Sequence, residues 1–124
     1  MEENKEGVRI EYKTTKSIDQ YTFDEIKILI DANTASAAEV LTIAMSELLD
    51  NVEVIGDVSY GKGTIQTTLP FTDGSMIKYT KAIWLSPKGN SINGKGITPD
   101  ILVETPIALR VGAPVDFDSV GVDS

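Results

Sequence analysis

The 124-residue chain contains no cysteine and no histidine. Without Cys there is neither a disulfide framework nor a thiol nucleophile. Without His there is no Ser-His-Asp triad and no imidazole to ligate a metal. No apolar run approaches the roughly 18 residues that a membrane-spanning helix needs. The first residues, Met-Glu-Glu-Asn-Lys-Glu-Gly, are charged rather than apolar, so no signal peptide is expected in this sequence. Bases are the minority: 11 Lys+Arg against 19 Asp+Glu give a net charge of −8, which argues against a nucleic-acid backbone as partner. What is present, 24% charged and 41% hydrophobic residues, suits an ordinary globular domain or part of one.

The charge is unevenly spread. Residues 1–30 hold 7 acids and 5 bases, and residues 31–60 hold 6 acids and no base. Residues 61–99 reverse this with five lysines against Asp73 alone, and residues 100–124 return to acid. Such a mosaic is usually a set of solvated faces. A sharper expectation is that one lysine of the basic stretch, Lys62, is shielded from solvent.

Hydrophobic spacing outlines the elements. Residues 8–13 alternate apolar and polar, as a strand with one wet face does. Residues 25–31 are nearly continuously apolar, the pattern of a strand buried on both faces of a parallel sheet. Residues 35–49 carry Ala37, Val40, Leu41, Ala44, Met45 and Leu48 at helical spacing. Residues 52–55 form a second apolar strand closed by Gly56. Strand, helix, strand in that order predicts a βαβ unit, hence an α/β fold. Gly61 and Gly63 bracket a turn, residues 64–70 alternate, Thr72-Asp73-Gly74-Ser75 signals a hairpin, and residues 76–85 return as a long strand. Residues 87–96 read as a loop and 100–103 as a last short strand. The tripeptide Gly-Lys-Gly occurs twice, at 61–63 and 94–96.

Three residues could carry chemistry. Ser36 stands where an apolar strand turns into a helix, beside free N–H groups and the positive end of the helix dipole. That environment stabilises a tetrahedral oxyanion. Ser36-Ala37-Ala38-Glu39 also has the form of a capping box, in which the serine merely caps the helix. Lys62 lies between two glycines, which let its backbone approach a neighbouring element closely. A lysine serves as a general base near neutral pH only when desolvation disfavours its ammonium form. Gln66, four residues on, has the strand parity to orient that amine without adding a charge. Ser–Lys pairs are a known variant of the serine nucleophile and base. Asn33 is expected to brace the strand-to-helix turn through its side chain. Tyr79, Ile83 and Trp84 read as strand packing.

The run Asp31-Ala32-Asn33-Thr34-Ala35-Ser36-Ala37-Ala38-Glu39-Val40 resembles the nucleophile segment of the C-terminal processing peptidases, or tail-specific proteases. Gly56-Asp57-Val58-Ser59-Tyr60-Gly61-Lys62-Gly63-Thr64-Ile65-Gln66 is similar to their lysine segment, and Gly94-Lys95-Gly96-Ile97-Thr98-Pro99-Asp100-Ile101 to their closing motif. Asp73-Gly74-Ser75 falls at their hairpin. The resemblance implies a serine-type endopeptidase with Ser36 as nucleophile, Lys62 as general base, Gln66 orienting Lys62, and the Ala37 backbone N–H as an oxyanion donor. It implies no cofactor and no metal, a peptide or protein substrate, and a Clp protease/crotonase-like core with additional hairpin strands.

The sequence departs from the family in places. Thr34 replaces the first serine of the usual Ser-Ala-Ser run. The interval from Ser36 to Lys62 is one residue longer, an insertion placed in the turn at residues 49–52, where it is cheap. The family's upstream Gly-rich segment, which gives a second oxyanion donor, and its PDZ domain have no counterpart here. The chain therefore reads as residues 1–104, the C-terminal part of a catalytic domain, followed by a tail at 105–124 with no assigned role. As such a fragment it is expected to be weakly active or inactive, and its strand edges invite self-association. A parent outside the cytoplasm or anchored to a membrane is implied. Two other functions fit the scaffold: a non-catalytic ligand-binding module, as in the retinoid-binding relative of these peptidases, and a crotonase-like acyl-CoA enzyme. Neither accounts for Ser36, Lys62 and Gln66 together. The acids Asp116, Asp118 and Asp123 lack the spacing of a calcium loop.

Overall fold

The computed structural model describes residues 1–15 and 21–104. In chain order its elements are β1 (Glu2–Asn4), β2 (Arg9–Ile10), β3 (Ile26–Ile30), α1 (Ala37–Leu48), β4 (Val52–Gly56), β5 (Thr64–Pro70), β6 (Met76–Trp84) and β7 (Ile101–Leu102). Strands β3, β4 and β7 form a parallel sheet in that order, and β2, β1, β6 and β5 an antiparallel one. The architecture is mixed α and β, and β3, α1 and β4 form the expected βαβ unit.

The parallel sheet is in register from Ile26 opposite Val52 to Ile30 opposite Gly56. Ile30, Val54, Ile92 and Ile97 form the buried core, with Ile28, Ile43 and Val52 packed on it. Alternate residues of β3 thus point inward. Burial on both faces, expected for this strand, does not occur: Lys27 is exposed and Leu29 is 77% exposed. Among the described residues one helix covers one face, and the outer face instead holds Lys27 in ion pairs with Glu25 and Glu53. The strand expected at 8–13 contracts to Arg9–Ile10; among the described residues it pairs only with the three-residue β1.

The helix follows its predicted span closely but not its predicted stripe. Leu41 and Leu48 are 62% and 67% exposed, whereas the two buried residues of α1 are Glu39 and Thr42. Thr42 Oγ1 satisfies itself on the Ala38 carbonyl at 2.8 Å. Glu39 is taken up below.

The hairpin forms where the turn chemistry places it. Asp73 Oδ1 accepts from the Ser75 N–H and hydroxyl, and the Phe71 N–H donates to the Ser75 carbonyl. β5 and β6 pair from Thr64 opposite Ile83 to Pro70 opposite Met76, with a bulge at Ile65/Gln66. Trp84 is half-buried against the Tyr12 ring at 6.3 Å, while Tyr79 stays exposed.

The two Gly-Lys-Gly tripeptides pack against each other. The Gly94 N–H donates to the Gly61 carbonyl at 2.8 Å, and a Cβ on Gly61 would lie 2.7 Å from the Gly96 nitrogen. Gly96 has φ 72°, and a Cβ there would lie 2.2 Å from the Ser59 carbonyl oxygen. Gly94 has nearly the same φ, 73°, with open space around it. The pair separates backbone cost from contact cost. Gly94→Ala should lose only the left-handed penalty, about 1–2 kcal/mol. Gly96→Ala should lose at least twice as much in urea unfolding, and equal losses would show that the close approach is not needed.

Candidate active site

The strand-to-helix turn at residues 31–36 is closed by side chains. Asp31 Oδ1 accepts the N–H groups of Asn33 and Thr34 at 2.8 and 3.1 Å, and Thr34 Oγ1 accepts the Asp31 N–H at 3.0 Å. Asp31 and Thr34 therefore do what was expected of the Asn33 side chain; Asn33 contributes its backbone N–H. Thr34 also receives the Tyr60 N–H on its carbonyl at 2.9 Å, which joins the turn to the segment carrying Lys62.

Ser36 leaves this turn with φ 57° and ψ −118°, the one positive φ on a non-glycine among the described residues. Such a conformation costs on the order of 1–3 kcal/mol and persists only when its surroundings impose it. Here the Ser36 N–H donates to Glu39 Oε2 at 2.9 Å, and its carbonyl accepts the Val40 N–H at 3.0 Å. Ala37 opens the helix, at a position whose N–H has no acceptor within the helix.

Glu39 does far more than complete a capping box. It is fully buried, and its carboxylate takes four hydrogen bonds. Oε1 accepts the Ser59 hydroxyl at 2.5 Å and the Gly61 N–H at 2.6 Å. Oε2 accepts the Ser36 N–H and the Lys62 N–H, each at 2.9 Å. The backbone nitrogens of the candidate nucleophile and base thus share one oxygen atom. Ser59 Oγ in turn accepts the Ile97 N–H at 2.7 Å, which ties in the closing motif. Burial alone would raise the Glu39 carboxyl, but the bonds from Ser59, Gly61, Lys62 and Ser36 outweigh it and hold it below the ordinary glutamate range. Asp100 clamps the same motif to β4: its N–H donates to the Val54 carbonyl at 2.7 Å, and its Oδ2 accepts the Val54 N–H at 2.8 Å.

The side chains are less assembled than the backbone. Lys62 and Gln66 are both exposed, contrary to the shielding expected for the lysine. No element among the described residues lies over the loop 61–63 on that side. Gln66 sits on β5 at the bulge, a device that re-aims side chains near functional sites. Among the described residues no group of His, Cys, Asp or Glu could hold a metal ion, and no helix is long and apolar enough to cross a membrane. Ser59 and the second role of Glu39 were missed in the sequence. The apolar spacing puts Glu39 on the face opposite the predicted stripe, where an acid reads as solvated, so the pattern carried no signal of its burial.

Because the Glu39 carboxyl is held low, its ionised form stabilises the fold. That contribution is complete above the unfolded-state value and is lost as pH falls through the lower folded-state value. Glu39→Gln should leave one or more buried N–H groups unpaired, at about 1–3 kcal/mol. It should also flatten the acid limb of a plot of unfolding midpoint against pH. An unchanged acid limb in the variant would remove Glu39 from this role.

A family model described as peptidase family S41 matches residues 2–103. A probable CtpA-like serine protease of Staphylococcus aureus is 46% identical over 82 residues, which cover 66% of this chain and 16% of the relative. The Staphylococcus epidermidis protein of the same name is 48% identical over the same share. The chain thus spans about one sixth of the length of these curated relatives. Among solved structures, a photosystem II D1 C-terminal processing protease is similar with a TM-score of 0.63 and 31% identity, covering 80% of this chain and 25% of that one. A Streptococcus agalactiae lipoprotein shares the fold with a TM-score of 0.68 at 23% identity, covering 90% of this chain and 42% of that one. The matched segment includes both Gly-Lys-Gly motifs and the Ser36 turn, and the chain belongs to peptidase family S41.

Proposed function

We propose that the chain carries the nucleophile and base segments of a Ser-Lys endopeptidase that cuts peptide bonds near protein C-termini. The observation that supports this best is the shared Glu39 oxygen, which draws the strained Ser36 backbone and the Lys62 backbone together. In this reading Ser36 Oγ attacks the scissile carbonyl carbon while Lys62 Nζ takes its proton. The Ala37 N–H, at the positive end of α1, receives the oxyanion. Collapse of the tetrahedral intermediate expels the amine, which takes the proton back from Lys62. Water, deprotonated by Lys62, then releases the acyl group from Ser36. Gln66 orients the lysine.

The same reading makes the fold a partial Clp protease/crotonase-like core, for which the parallel βαβ unit is support. A general-base lysine needs cover from water, and Lys62 is exposed here. That cover, a second oxyanion donor and a PDZ domain would come from regions of the relatives that this chain does not span. The longer protein would act outside the cytoplasm or at a membrane. Loss of a single oxyanion donor costs on the order of 10²–10³ in turnover, so the 124 residues alone should be nearly inactive. In the longer protein, Ser36→Ala and Lys62→Ala should each abolish cleavage of a quenched fluorescent peptide, by at least about 10³-fold, with Gln66→Ala less severe. Retention of cleavage by Ser36→Ala would remove the serine from the mechanism.

A further inference from the structure

The loop that carries Lys62 is held from two sides. Glu39 takes the N–H groups of Gly61 and Lys62. From the segment 91–96, Asn93 Oδ1 accepts the Gly63 N–H at 3.2 Å, and the Gly94 N–H donates to the Gly61 carbonyl. The N–H groups of residues 61–63 therefore end on two side chains, and Asn93 holds the one that follows the lysine. Gly63 carries the mark of this contact. Its φ is not in the left-handed region, so conformation does not demand a glycine there. A Cβ would instead lie 2.8 Å from the Asn93 Cβ and 2.8 Å from the Asn93 nitrogen.

Asn93 is itself fixed. Ile92 before it lies in the buried core, and the Ile92 carbonyl accepts the Lys95 and Gly96 N–H groups. The Asn93 N–H donates to Ser91 Oγ at 3.2 Å. Upstream, Glu47 on the last turn of α1 accepts the Lys88 N–H at 2.8 Å and the Asn90 side-chain amide at 3.2 Å. The acceptor thus sits on a segment tied to the core and to α1, the helix that also carries Glu39.

We infer that Asn93 is a positioning residue for Lys62: acting through Gly63, it sets the direction in which the lysine side chain leaves the loop. The inference rests on the peptidase reading and adds a residue to it. Peptide units are planar, so a side chain is aimed by the two units that meet at its Cα. Glu39 fixes the unit before Lys62 through the Lys62 N–H. The unit after it is Lys62–Gly63, whose N–H is the one that Asn93 holds. Without Asn93 the ψ angle of Lys62 loses that restraint. A reacting group displaced by about 1 Å loses on the order of 10²-fold in rate.

Two measurements test this. In the 124-residue chain, Asn93→Ala should speed amide hydrogen exchange at Gly63 by at least about tenfold while Val54 in β4 keeps its rate. Asn93→Asp, which retains the acceptor oxygen, should restore the slow exchange of Gly63. In the longer protein, Asn93→Ala should lower kcat for the fluorescent peptide by about 10²-fold with KM unchanged. Equal acceleration at Gly63 and Val54 would make Asn93 a general stabilising residue and overturn the inference. An unchanged kcat, or a loss confined to KM, would overturn it too. Lys62→Ala in the same assay separates the two readings. An inactive Lys62→Ala beside a fully active Asn93→Ala overturns this inference alone. An active Lys62→Ala overturns the base assignment and this inference with it.

Discussion

The carboxylate of Glu39 is the constraint on which the rest of the site depends. An ionised group removed from water costs several kcal/mol unless its lone pairs are filled. Among the described residues no cation pairs with it; four donors fill it instead, three of them backbone N–H groups. The donors come from two segments, the Ser36 turn and residues 59–62, which this carboxylate joins. Satisfying the acid and closing the loops are therefore one event. The position of Glu39 in the first turn of α1 adds the favourable field of the helix N-terminus.

This arrangement requires chain segments to approach more closely than side chains allow. The Gly61 N–H reaches Oε1 at 2.6 Å while the Gly61 backbone lies against residues 94–96 on its other side. A Cβ at Gly61 or Gly96 would enter backbone atoms, which cannot swing aside as a side chain can. The repeated Gly-Lys-Gly is thus two halves of one contact, with Ser59 bonded to both Glu39 and Ile97 across it.

Much of this was legible in the sequence and some was not, for physical reasons. Period-2 and period-3.6 patterns locate β5, β6, α1 and the βαβ unit because those elements are set by local spacing and turn chemistry. The outer face of β3 misleads, because apolar residues such as Leu29 report hydrophobicity and not whether another element covers them. Ser36 could be placed at a strand-to-helix turn, but its positive φ could not be foreseen: it is imposed by Glu39, whose other bonds reach residues 59–62. A capping box accounts for Ser36 and Glu39 using four consecutive residues, so local reasoning stops there. Lys62 and Gln66 show the opposite limit. Motif spacing singles them out as candidates, but shielding depends on what lies above them.

The contrast between a fixed backbone and exposed side chains has a physical logic. Catalytic geometry tolerates little error, and a group is best placed by elements whose positions are already determined. At Ser36 and Lys62 the backbone is determined from below, by a buried charge that is satisfied only when both N–H groups are present. In the proposed mechanism reactivity would be set from above, since a lysine changes its proton affinity with solvent access. Separating the two lets the strained turn fold on strong, local, fully satisfied hydrogen bonds. The environment that would disfavour the ammonium form, as the proposed base role requires, could then be added by whatever packs on the outer side. A site built the other way, with Lys62 buried in the fold's own core, would add a second desolvated charge beside the Glu39 carboxylate. The ammonium would then be drawn into an ion pair with that acid and lost as a base.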